Sequence, residues 1–98
     1  SFAAGRLQAQ PVVLIKIGSD GAVMGQFANV HEDPDLCGGT QKQFFIPAAH
    51  AARKEMLALL VAAQANGTRI SVYVSGCTQS ANPNDVWPIV STMDIVSG

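Results

Sequence analysis

The sequence has little charge and few aromatic rings. Its 98 residues include six basic and seven acidic side chains, for a net charge of −1, and aromatic residues make up 6%. With so few lysines and arginines, no face of the protein can be strongly basic, so we expect no nucleic-acid partner. No apolar run approaches the roughly 18 residues that span a bilayer, so we expect no membrane insertion.

Sequence motifs of catalysis and cofactor binding are also missing. The chain has no GxSxG, no HExxH, no P-loop and no dinucleotide-binding fingerprint. Gly18, Gly21 and Gly25 lie between apolar strand-like runs and precede no helix. We therefore predict that the protein is not an enzyme, that it has no catalytic residues, and that it uses no cofactor and no resident metal.

Cysteine is scarce, and the two cysteines present bear on the compartment. Cys37 and Cys77 are 40 residues apart, unlike the CxxC spacing of zinc and redox sites. If they pair, the disulfide stabilises the fold by about 4 kcal/mol and indicates a secreted or periplasmic protein. If they do not, they are two separate buried thiols in a reduced protein. Ser1 at the start fits either a signal-peptidase product or a remnant of cloning.

The length is that of a single domain over residues 1–98. Hydrophobic residues make up 48% of the chain, which is typical of globular rather than disordered proteins, although much of this fraction is alanine. The first ten residues lack a clear pattern, and we expect them to fray or to lead into a strand.

Five segments have the β-branched or alternating apolar pattern of strands, namely 12–17, 22–27, 42–46, 68–75 and 89–96. Asp20-Gly21 lies between the first two and predicts a hairpin turn. Along the fourth, the alternation places Ile70, Val72 and Val74 on the inward face.

A helix is predicted over 47–65, because Pro47 suits a first helical turn and Asn66-Gly67 suits a left-handed end. Helical spacing assigns the buried face to six residues: Ala49, Ala52, Met56, Leu59, Leu60 and Ala63. The resulting order is β-β-β-α-β-β. It predicts an α+β fold, a five-stranded antiparallel, OB-like, partly open barrel with one helix.

Four stretches of the sequence carry a family resemblance: 44–47 (FFIP), 54–60 (KEMLALL), 63–67 (AQANG) and 69–74 (RISVYV). They resemble small exported bacterial proteins of largely unknown function. More distantly, the chain is similar to the B subunits of subtilase-cytotoxin and typhoid-toxin type. The resemblance covers roughly 12–96 and implies an OB-like barrel, secretion and, in the toxin members, a homopentamer that binds host glycans. No sugar-binding residue of those toxins aligns with this chain, so none is assigned.

Two polar loops, 29–41 and 78–88, are the candidate binding surface, because a rigid scaffold often presents function on its loops. The residues singled out in them are His31, Glu32, Asp33, Asp35, Gln79, Asn82, Asn84 and Trp87. The acidic cluster in the first loop could bind a metal ion, but it lacks EF-hand spacing and also fits a solvated turn. Trp87 either packs against the end of the barrel or lies exposed on a binding rim.

The sequence therefore favours a secreted or periplasmic, non-enzymatic binding module. Its expected partner is a glycan or a protein, and the toxin resemblance adds the expectation of an oligomer. The alternative is an envelope-associated accessory protein, such as a surface antigen, that acts through an exposed strand edge. A third, less favoured hypothesis is a small metal-dependent enzyme built on His31, Asp33 and Asp35.

Overall fold

Six strands and one helix form the fold in a computed structural model that describes residues 5–39, 41–82 and 85–96. The elements are β1 Gly5–Gln10, β2 Val12–Ile17, β3 Val23–Phe27, β4 Gln43–Ile46, α1 Arg53–Asn66, β5 Arg69–Cys77 and β6 Pro88–Val96. They make one mixed sheet in the order β1-β5-β6-β4-β3-β2, in which β4 and β6 run parallel and the other neighbours antiparallel. The α+β class is confirmed. The prediction of five antiparallel strands is wrong in two respects. The sheet has six strands, and β4 and β6 pair in parallel.

The additional strand is β1, which pairs with β5. Its sequence GRLQAQ has a single large apolar residue, Leu7, so it gives no alternating signal. Long-range partners hold it instead. Arg6 donates a hydrogen bond to the Ser71 hydroxyl and forms an ion pair with Asp94, at 3.3 and 2.7 Å. Only Pro11 separates β1 from β2, although the two strands lie at opposite edges of the sheet.

The helix begins at Arg53, six residues later than predicted. Two successive turns occupy the predicted first turns, closed by hydrogen bonds from the His50 amide to Pro47 O and from the Arg53 amide to His50 O. The His50 ring explains this local choice, because its Nδ1 accepts the Ala52 amide at 3.0 Å. A side chain that bonds a neighbouring amide offers the backbone an alternative to the helix. Ala49, predicted to be buried, is consequently exposed.

The rest of the predicted buried face is confirmed in part, because Ala52 and Leu59 are only partly buried and pack against the core. Met56, Leu60 and Ala63 are buried as predicted, and Gly67 ends the helix in the left-handed conformation with φ 66°. No helix within the described residues has the length and apolar character needed to cross a membrane.

The core is centred on two phenylalanine rings. Phe27 and Phe44 are fully buried, and their centroids lie 4.9 Å apart. Gly25 pairs with Phe44 across β3 and β4, and the Phe44 ring covers the position that a side chain at Gly25 would occupy. Since neighbours along a strand point to opposite faces, burial of Phe44 and Ile46 turns Phe45 to the other face of the sheet.

Replacing Gly25 with alanine should destabilise the protein, because the added methyl group would overlap the Phe44 ring. Overpacking in a dense core costs about 1–3 kcal/mol, so urea unfolding should show a free energy of unfolding lower by roughly that amount. Gly18→Ala is the matched control, since the atom closest to the added methyl group would be an Asp20 carboxylate oxygen at 3.1 Å rather than a buried ring. Wild-type stability of Gly25→Ala would contradict this packing.

Candidate ligand cavity beside the disulfide

A disulfide joins Cys37 and Cys77, with their Cα atoms 5.6 Å apart. The predicted pairing is thus confirmed. The bond connects the loop between β3 and β4 to the end of β5. Asp35 reinforces the same junction, because its Oδ2 accepts the Gly76 amide at 2.6 Å.

The acidic residues of the loop between β3 and β4 accept hydrogen bonds from backbone amides and do not form an open site. Asp33 accepts the amides of Cys37 and Gly38, both at 2.8 Å, one with each carboxylate oxygen. Glu32 Oε1 accepts a hydrogen bond from the backbone amide of Gln8 in β1 at 3.1 Å. Oδ1 of Asp35 is buried and has no hydrogen-bond partner among the described residues. These carboxylates therefore order the loop around the disulfide.

His31 is also held by the backbone. Its side chain is buried, its Nδ1 lies 2.6 Å from Glu32 O, and its Nε2 lies 2.9 Å from Gln43 O. The ring makes an edge contact with Phe27, with the centroids 5.9 Å apart. In the described part of the chain, no three His, Cys, Asp or Glu side chains come together as a metal site. The residues of the metal-enzyme hypothesis are each tied to backbone groups.

A cavity of about 520 Å³ lies beside Cys77, between β4, β6 and the loop after β5. Its walls are mainly apolar and include Phe45, Pro47, Trp87 and Ile89. Cys77 contributes one end of the disulfide to the wall. Three polar residues complete it: Thr78, Gln79 and Asp85. The volume lies within the range of roughly 300–1,000 Å³ that is typical of small-molecule sites.

Two aromatic rings of the cavity lining lie close together. The centroids of Phe45 and Trp87 lie 6.5 Å apart, and their planes are inclined by 40°. Both side chains are partly exposed. Trp87 is therefore neither fully buried nor fully exposed, because it packs against Phe45 and also borders the cavity.

Thr78 fixes the position of Trp87 in the loop. The Thr78 amide donates to Trp87 O, and the Trp87 amide donates to the Thr78 hydroxyl, each at 2.8 Å. The same hydroxyl donates to Asp85 O at 3.0 Å. Because Thr78 directly follows Cys77, the disulfide and this hydrogen-bonded clamp restrain one continuous wall.

The two loops of the predicted binding surface thus differ in their relation to the cavity. Gln79 and Trp87 line the cavity, whereas His31, Glu32, Asp33 and Asp35 lie outside its lining. Asn82 is exposed, and its backbone amide donates to the Ser80 hydroxyl at 3.1 Å. Asn84 lies outside the described residues. Among the residues that sequence reasoning missed, Phe45 carried a signal, because an aromatic residue between two buried positions on a strand must point outward.

Thr78→Val should loosen Trp87 while keeping the side-chain shape, because it removes the hydroxyl that binds both Trp87 and Asp85. We expect stronger iodide quenching of the fluorescence of Trp87, the one tryptophan of the chain, and a loss of about 1 kcal/mol in stability. Thr92→Val, at an exposed position of β6, is the control. Quenching equal to that of the wild type would show that the clamp does not hold the ring.

Removing the disulfide by Cys37→Ala with Cys77→Ala should lower the free energy of unfolding by about 4 kcal/mol, the chain-entropy value for a 40-residue separation. Hydrogen exchange should increase first around the two cysteines and in residues 78–82, and later in the buried strands. The oxidised wild type is the reference. An increase spread evenly over the sheet would contradict a local role for the bond.

Comparisons of the chain with protein-family models, curated proteins and solved structures gave no match. The resemblance to exported bacterial proteins and to toxin B subunits therefore stays a prediction. The functional inference depends on the chemistry of the residues that line the cavity.

Proposed function

We propose that the protein is a secreted or periplasmic binding module without catalytic activity, and that it takes a glycan residue into the cavity beside Trp87. The observation that carries this proposal is the apolar cavity of about 520 Å³ with the Phe45–Trp87 ring pair in its wall. Ligand sites typically combine apolar and aromatic walls with a few placed polar groups, and Thr78, Gln79 and Asp85 provide such groups here.

The cavity chemistry suits a sugar ring. The C–H face of a pyranose can pack on an indole ring, while its hydroxyl groups hydrogen-bond to polar side chains at the ring edge. The disulfide and the Thr78 clamp restrain the cavity wall before a ligand arrives. Such preorganisation reduces the entropy lost on binding.

An OB-like architecture is part of the proposal. β1 and β2 can be regarded as two halves of one bent strand interrupted at Pro11, whose carbonyl accepts the Ala28 amide at 3.1 Å. The neighbour order then becomes that of a five-stranded barrel with the helix after its third strand. OB-type barrels bind saccharides and oligonucleotides on a strand face and on the loop between their last two strands. The cavity borders that loop.

The disulfide supports the proposed compartment, because such bonds persist in oxidising environments outside the cytosol.

A second candidate role, in assembly or in an envelope structure, is favoured by a separate observation. The edge strand β2 exposes Val13, Leu14 and Ile17, each by about half of its surface. Exposed apolar edge strands tend to pair with other chains.

A glycan array followed by titration tests the glycan proposal. Trp87→Ala should weaken binding of any glycan found on the array by about tenfold, because aromatic packing contributes roughly 1–1.5 kcal/mol beyond burial. Tyr73→Ala is the control, since Tyr73 is an exposed ring outside the cavity lining. An array without hits, or equal losses in both variants, would overturn the proposal. Light scattering reports separately on assembly through β2.

A further inference from the structure

The charge of the cavity wall restricts the ligand further than its shape does. Among the described residues that line it, the carboxylate of Asp85 is the single formal charge, and no lysine, arginine or histidine is present. The other described lining residues are uncharged, and most are apolar or aromatic. Asp85 is exposed, so water and salt screen part of its charge. The formal charge of the described lining is nevertheless negative, which attracts cations and repels anions.

Within the described residues, no cation forms an ion pair with Asp85. The one ion pair within the described residues joins Arg6 to Asp94. The hydrogen bonds of Asp85 in that part of the chain use its amide, which donates to Asn82 O, and its carbonyl, which accepts from Thr78. The backbone of Asp85 is thus fixed while its carboxylate remains available to a ligand.

The aromatic pair adds a second attraction for positive charge. The face of an aromatic ring is negative and attracts a cation within about 6 Å of its centroid, most strongly for tryptophan. With centroids 6.5 Å apart and planes inclined by 40°, a single alkylammonium group can lie within that range of both Phe45 and Trp87. Methyl groups on the nitrogen would then contact the apolar wall.

We propose that the cavity selects a small organic cation, a quaternary or alkylated ammonium group on a compact body, over neutral and anionic ligands. This rests on the proposed function in one respect only, that the cavity is a ligand site. It narrows the ligand class, because a glycan that fits this rule carries an amine rather than a carboxylate.

The experiment compares choline with 3,3-dimethylbutan-1-ol, its neutral isostere, on the oxidised 98-residue chain. Trp87 fluorescence reports binding directly, because it is the one tryptophan of the chain. We expect choline to bind at least about fivefold more tightly, which corresponds to ~1 kcal/mol, and the advantage to shrink at high salt.

Asp85→Asn should reduce the preference for choline, because it lowers the affinity for the cation more than the affinity for the neutral isostere. Glu55→Gln makes the same charge change on the exposed first turn of α1 and should preserve the preference. Equal affinities of the two probes for the wild type, or a preference that Asp85→Asn leaves undiminished, would overturn the inference.

A neutral methyl glycoside and a uronic acid, titrated in parallel, separate the two proposals. Binding of the neutral glycoside without any choline preference would overturn the cation inference and leave the binding module standing. Preferred binding of the uronic acid would also overturn it. If neither choline nor any saccharide changes Trp87 fluorescence or its indole NMR signal, both proposals fail together.

Discussion

The bond between Cys37 and Cys77 is the constraint on which the rest of the site depends. It fixes the end of β5, and the next residue, Thr78, then holds Trp87 and Asp85 through one hydroxyl and one amide. The loop on the other side of the bond contributes no residue to the cavity lining, but it anchors the bond through Asp35 and Gly76. These bonds offset part of the cost of ordering the loop, which is about 1–2 kcal/mol of conformational entropy for each residue.

The sheet supplies the second wall of the site through a packing requirement. Phe44 must lie over Gly25 to fill the core beside Phe27, and the alternation of β4 then directs Phe45 outward. The parallel pairing of β4 with β6 at Phe45 and Ile89 brings that outward face next to the loop that carries Trp87. Strand β4 therefore contributes to both the core and the cavity. Phe44 and Ile46 lie in the core, and Phe45 between them lines the cavity.

Local signals predicted the elements well, and long-range contacts limited the prediction. The Asn66-Gly67 end of the helix and the alternation of Val72 and Val74 depend on neighbouring residues, and the structure confirms both. β1 could not be predicted, because its bonds from Arg6 reach residues 65 and 88 positions away. The helix start was predicted too early for a different reason, since the His50 ring competes for an amide that helix propensity alone assigns to the helix. The cavity joins β4 to the loop after β5, a proximity that no local pattern encodes.

The acidic residues illustrate how burial and partners, rather than density in the sequence, decide which charge is available to a ligand. The cluster in the loop between β3 and β4 looked like the richest site, yet the side chains of Glu32, Asp33 and Asp35 accept hydrogen bonds from backbone amides. A carboxylate bound in this way has part of its charge compensated and its geometry fixed. Asp85, isolated in a loop that seemed merely polar, lines the cavity with its backbone anchored and its side chain uncommitted among the described residues. Among the described residues that line the cavity, Asp85 is therefore the one charged side chain, and the fold uses only its backbone.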